Sequence, residues 1–71
     1  MAYTTTEEFG PSNFGRVLVA KLNGGGITVS AKVGEDLVVT DTITADGGYP
    51  VDQRGSTVVI TPSGGATYEY Y

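Results

Sequence analysis

The run Ile27-Thr28-Val29-Ser30-Ala31-Lys32-Val33 alternates apolar and polar side chains without a break. A period of two is the mark of a strand with one buried face. Asn23-Gly24-Gly25-Gly26 precedes the run and Gly34-Glu35-Asp36 follows it; Asn and Gly tolerate the positive φ that tight turns demand. Upstream lies a second apolar stretch, Arg16-Val17-Leu18-Val19-Ala20-Lys21-Leu22. Folding the two together as a hairpin, with Leu22 opposite Ile27, Ala20 opposite Val29 and Leu18 opposite Ala31, gathers all six residues on one face.

The rest of the chain reads as more of the same. Ten Thr, nine Val and three Ile make it rich in β-branched residues, which suit a pleated surface and crowd a helix. A third strand covers Leu37 to Thr44, with Leu37, Val39 and Ile43 inward; that phase also turns Asp41 inward, where a carboxylate is costly unless it is partnered or wet. Ala45 to Gly55 is a long loop, and loops of about a dozen residues are often functional. Ser56 to Thr61 is a fourth strand, Pro62 to Gly65 a turn, and Ala66 to Tyr71 a fifth strand, with Ile60 set against Tyr68 and Val58 against Tyr70. The first 14 residues lack alternation, contain Gly10-Pro11 and hold Tyr3, Phe9 and Phe14, so they read as an extended arm. The expected architecture is all-β: a small antiparallel sandwich or partly open barrel of about five strands over 15–71, with an extended arm over 1–14. On this reading the β-domain folds without the arm, and the arm serves assembly.

Size and charge narrow the functions. A chain of 71 residues is one small domain that hides only about 60% of its unfolded surface, and 11 glycines make its backbone expensive to order. With no cysteine or histidine, disulfides and ordinary zinc sites are out, and the usual acid–base and nucleophile pairs lose their players. The net charge is −4, and the four bases, Arg16, Lys21, Lys32 and Arg54, are scattered. That is too few for a phosphate-neutralising face or an anionic membrane surface. No apolar run is long enough to span a bilayer. The opening Met1-Ala2-Tyr3-Thr4-Thr5-Thr6-Glu7-Glu8 carries neither the basic nor the apolar region of a signal peptide, so a complete product of cytoplasmic synthesis is expected.

Individual motifs mostly favour plain readings. Gly24-Gly25-Gly26 leads into a strand, whereas a phosphate loop needs a helix N-terminus, a Lys and a hydroxyl. Asp41, Asp46, Asp52 and the Glu35-Asp36 pair lack the spacing of a calcium loop. No cofactor and no metal site is expected, and a sheet this small is poorly suited to enclosing a sugar between paired carboxylates. The aromatics say more. Six of the seven lie in the outer parts of the chain, and Tyr, with its apolar body and polar tip, is enriched at protein interfaces. Tyr3, Phe9 and Phe14 are therefore candidate arm anchors on a neighbour, although Phe9 and Phe14 can equally cover an open sheet end of their own domain. Tyr68, Tyr70 and Tyr71 form a candidate second contact, and Asp46, Tyr49, Asp52 and Arg54 an exposed loop tip. Open strand edges guarded only by Lys21, Lys32, Glu69 and prolines, over a thin core, favour association.

The Thr-rich segment Tyr3–Phe14, the Val/Thr/Gly domain Gly15–Tyr71, the acidic balance and the absence of cysteine together resemble small bacteriophage virion proteins, the capsid decoration or cement class in particular. The resemblance spans the whole chain and is one of composition, without a diagnostic motif. It implies a non-enzymatic structural protein of the virion that docks at junctions of a major capsid protein, or of a tail protein, and stiffens the shell. Homo-oligomers, commonly trimers, would be its working form. Two other readings stay open: a ligand-binding or adhesin-type module with Tyr49, Tyr68 and Tyr70 as a stacking platform for carbohydrate, and an acidic intracellular inhibitor or adaptor.

Overall fold

In the computed structural model, which describes residues 2–52 and 54–71, the chain is all-β. Its strands are β1 (Glu7–Phe9), β2 (Arg16–Lys21), β3 (Gly26–Val33), β4 (Asp36–Ile43), β5 (Gly47–Val51), β6 (Thr57–Ser63) and β7 (Thr67–Tyr70). They form two antiparallel sheets, ordered β1-β6-β3-β4 and β5-β2-β7. The sheets pack face to face as a sandwich and do not close into a barrel. Met1 of the expected arm and Gln53 of the expected loop lie outside the described residues.

The alternation in β2 and β3 does what period two requires. Leu18, Ala20, Leu22, Ile27, Val29 and Ala31 are all buried. The hairpin expected between them does not form, however. β2 pairs with β5 and β7, while β3 pairs with β4 and β6, so the two runs face each other across the core instead of lying side by side. Residues 22–26 therefore cross from one sheet to the other. The expected pairing of Ile60 with Tyr68 fails for the same reason: β6 and β7 belong to different sheets, although Val58, Ile60 and Tyr68 are all buried in the shared core. Only β3 and β4 make a hairpin of neighbours, turning at Gly34 with φ 64°.

Ala45 to Gly55 is not one long loop. Gly47–Val51 forms β5, an edge strand that pairs Val51 with Arg16 and Pro50 with Val17. Pro is tolerated there because an edge leaves one row of amides unused. In β4, the ladder slips between Ala31 and Lys32, so that Ala31 faces Val39 but Lys32 faces Leu37. The extra residue, Val38, is a bulge that throws Leu37 onto the outer face, where it is 60% exposed instead of buried. Asp41 keeps the inward phase opposite Val29 yet stays exposed, because this end of β4 fronts an open groove.

The first 14 residues are extended but belong to their own domain. Tyr3 bridges to Tyr68 on the edge of the three-stranded sheet, with N–H···O distances of 2.7 and 3.1 Å. Four residues later β1 joins the other sheet, Glu7 opposite Ile60 and Phe9 opposite Val58. The segment thus straps one side of the sandwich shut. With the Tyr3 bridge counted as a vestigial strand before β1, the orders become Tyr3-β7-β2-β5 and β1-β6-β3-β4, the wrapping of a double-sheet jelly roll. Among the described residues, the opposite side, between β4 and β5, has no strap.

Candidate functional site

The strap is where most of the candidate aromatics go. Tyr3 stacks on Tyr68 with ring centres 5.3 Å apart and meets Phe9 edge-on at 5.5 Å; Phe9 lies 4.3 Å from Tyr70. The Arg16 guanidinium sits 4.5 Å from the centre of the Tyr70 ring and 5.7 Å from that of Phe14. Its Nε donates to Tyr71 O at 2.5 Å. Tyr68 is 1% exposed, and Phe9 and Tyr70 are half-buried. Tyr3, Phe9, Tyr68 and Tyr70 therefore cover and fill the strapped side of this chain's own core. Phe14 and Tyr71 do not: they are 64% and 63% exposed.

Burial, with the Glu7 carboxylate and Tyr3 as lesser causes, pushes the Tyr68 hydroxyl up to about 12 from its ordinary 10.0. Burial likewise raises Tyr70, against a lowering by Arg16, and the hydrogen bond to Glu69 raises Tyr71. An unfolded chain sheds the Tyr68 proton near pH 10, whereas the folded chain keeps it to about pH 12. This contribution to stability is therefore whole below pH 10 and lost as pH rises from 10 towards 12. Tyr68→Phe is expected to flatten that alkaline loss, while costing up to about 1 kcal/mol at neutral pH for the bond from Tyr68 Oη to Thr5 O. Thermal melts of both proteins below and above pH 10 measure the difference.

The expected loop tip is also largely structural. Asp46 Oδ1 accepts from Leu22 N–H at 2.8 Å, fastening the crossover after β4 to the end of β2. Tyr49 is half-buried and donates its hydroxyl to Ala45 O. Asp52 and Arg54 are exposed and make an ion pair of 2.9 Å with each other. Among the described residues, no group of three or more acidic side chains is placed to hold a metal ion.

Besides Val33, Leu37 and Val38, exposed at the β3–β4 hairpin end, two surfaces stand out. The first is the outer face of the three-stranded sheet. Val17 exchanges backbone hydrogen bonds with Tyr71 and faces Pro50, while Val19 faces Gly48 and Glu69. Val17, Val19 and Tyr71 are all exposed, with Phe14 beyond the same end of β2, next to Arg16. Three exposed apolar side chains on one sheet face of a small protein, with the exposed Phe14 ring beyond the end of β2, together mark a contact surface. The unbroken Val17-Leu18-Val19 was its sequence signal, since a strand apolar on both faces has something to cover on each. The second surface is the unstrapped side, a groove of about 240 Å³ whose lining includes Val39, Asp41 and Ile43 from β4 and Tyr49 and Val51 from β5. The inward phase of Asp41 was its one sequence sign, since a carboxylate there has to be partnered or wet; which strands wall the groove was not legible, because that depends on which ones end up at the sheet edges.

No family model, curated protein or solved structure matches the chain.

Proposed function

We propose that this is a non-enzymatic structural protein of a phage virion, a decoration protein that docks on a capsid lattice through the outer face of its three-stranded sheet. The observation that carries the reading is the apolar outer face of Val17, Val19 and Tyr71, left uncovered with Phe14 exposed beyond its end, while the other outer aromatics are spent on the chain's own core. Jelly-roll sandwiches serve as viral capsid domains and as lectins alike, so the architecture does not choose between them. The aromatics favour the first. Tyr68 is buried and Tyr70 lies against Phe9 and Arg16, so the stacking platform that a sugar-binding module needs is not displayed. An array of symmetry-related copies, trimeric or otherwise, turns a weak single contact into firm attachment.

The test is co-purification of the chain with intact particles of the virus that encodes it, with copy number read by mass spectrometry. The double variant Phe14→Ser/Tyr71→Ser is expected to melt within a few degrees of the parent, since both residues are mostly exposed, and to lose attachment by about ten-fold or more. Undiminished attachment of a folded variant removes this face from the mechanism. Absence of the parent chain from purified particles removes the virion reading.

A further inference from the structure

The unstrapped side of the sandwich has a separate use, one that does not depend on the virion reading. Among the described residues β4 bonds to β3 alone, so its outer edge presents a row of backbone donors and acceptors without partners among them. Such an edge is a template for another strand. Its inward side chains, Val39, Asp41 and Ile43, front the groove, with Tyr49, Val51 and Asp52 on the far wall. A strand added to β4 continues the four-stranded sheet and directs its own alternate side chains over that groove. At about 240 Å³ the groove falls below the ~300–1,000 Å³ usual for small-molecule sites, so side chains of a strand suit it better than a free ligand.

Charge decides what kind of strand. Asp41 points inward from the middle of the edge, Asp52 lies across from it, and Glu35 and Asp36 stand at the hairpin end. The ion pair among the described residues is Asp52 with Arg54, and it does not involve Asp41. An inward carboxylate on an edge strand repels purely apolar or acidic strands and accepts one that brings a cation opposite it. A second copy of this chain fits badly. Antiparallel pairing of β4 with itself lines up Asp36 and Asp41 from both copies along one edge, and β4 offers no base to answer them. The bulge at Val38 confines the regular stretch of the edge to Val39–Ile43, which sets a short contact of about five residues.

We propose that the β4 edge is a docking site for an extended segment of a partner protein whose groove-facing, alternate positions are apolar, basic and apolar, so that a Lys or Arg lies opposite Asp41 and its apolar neighbours two residues away cover the groove. The experiment titrates a synthetic peptide, Thr-Val-Thr-Lys-Thr-Val-Thr, into the isotope-labelled full-length chain, beside a peptide with Glu in place of the lysine. The expected result is saturable shifts and slowed amide exchange along β4 and at the groove wall of β5, affinity about ten-fold higher for the Lys peptide, and weakening with added salt. Asp41 is exposed, so Asp41→Lys is expected to fold, as unchanged Leu18 and Tyr68 signals would verify, and to reverse the preference between the peptides. Asp41→Asn is expected to abolish the preference. The proposal is overturned by absence of binding at millimolar peptide, by equal affinity for the two peptides, by shifts confined to the outer face of β2 and β7, or by concentration-dependent protection of β4 without any peptide, which would make a second copy the occupant.

Discussion

Gly25→Ala is expected to leave the chain unfolded at room temperature. A Cβ on Gly25 would lie 1.8 Å from Ser63 O and 2.8 Å from the Gly64 carbonyl carbon and oxygen. Those are backbone atoms of the turn between β6 and β7, and that turn has little freedom to retreat. Asn23 Nδ2 donates to Gly65 O at 3.2 Å, Ser63 Oγ to Gly26 O at 3.3 Å and Ala66 N–H to Ser63 O at 3.2 Å. The 22–26 and 62–65 corners cross backbone against backbone, and both carry the chain from one sheet to the other. Ordinary overpacking costs about 1–3 kcal/mol and more where nothing can give. A single core in a domain of this size rarely supplies more than about 3–5 kcal/mol. Loss of the dispersed proton–nitrogen spectrum and of the strand circular dichroism is the expected readout. Gly10→Ala is the control: its added methyl meets nothing within 4 Å, and the spectrum is expected to persist.

The second large effect comes from the N-terminal segment. A chain beginning at Gly10 is expected to be largely unfolded, in contrast to the expectation from sequence that the β-domain stands without its arm. Truncation removes β1 from the edge of β6 and uncovers one flank of Val58 and Ile60. It also strips Tyr3 from Tyr68 and Phe9 from Tyr70, and deletes both hydrogen bonds of the Tyr3 bridge. The half-buried Phe9, the Tyr3 ring stacked on Tyr68 and the short ladder amount to about 3–5 kcal/mol, comparable with the whole stability of a domain this small. Urea titration of the two chains measures it. A truncated chain that unfolds at the parent's midpoint would mean that the strap contributes nothing.

Burial was legible in the sequence where it depends on local backbone alone. Alternation in β2 and β3 predicts which side chains turn inward whatever the neighbouring strand is, and Leu18 through Ala31 obey it. Partner choice was not legible. Residues that share one face of a hairpin and residues that meet across a sandwich produce the same inward pattern, so the jelly-roll wrapping left no local trace distinguishing it from a meander. β5 was hidden by Gly47, Gly48 and Pro50, poor strand formers that an edge accepts. Leu37 was misplaced by a bulge, which inserts one residue without any compositional signal. Among the site residues, the aromatic cluster could be seen as a group. Its use inside the fold could not, because the strap becomes an internal element only when Tyr3 and β1 reach opposite sheets.

The central claim is that this chain straps its own sandwich and leaves the outer face of β2 and the edge of β4 for others. A mixed sample of two differently labelled copies at micromolar concentration tests it through magnetisation transfer between the rings of Tyr3 and Tyr68 and of Phe9 and Tyr70. Transfer within each copy and none between copies is the predicted result. Transfer that arises only between differently labelled copies, or is missing from a folded monomer, would contradict it.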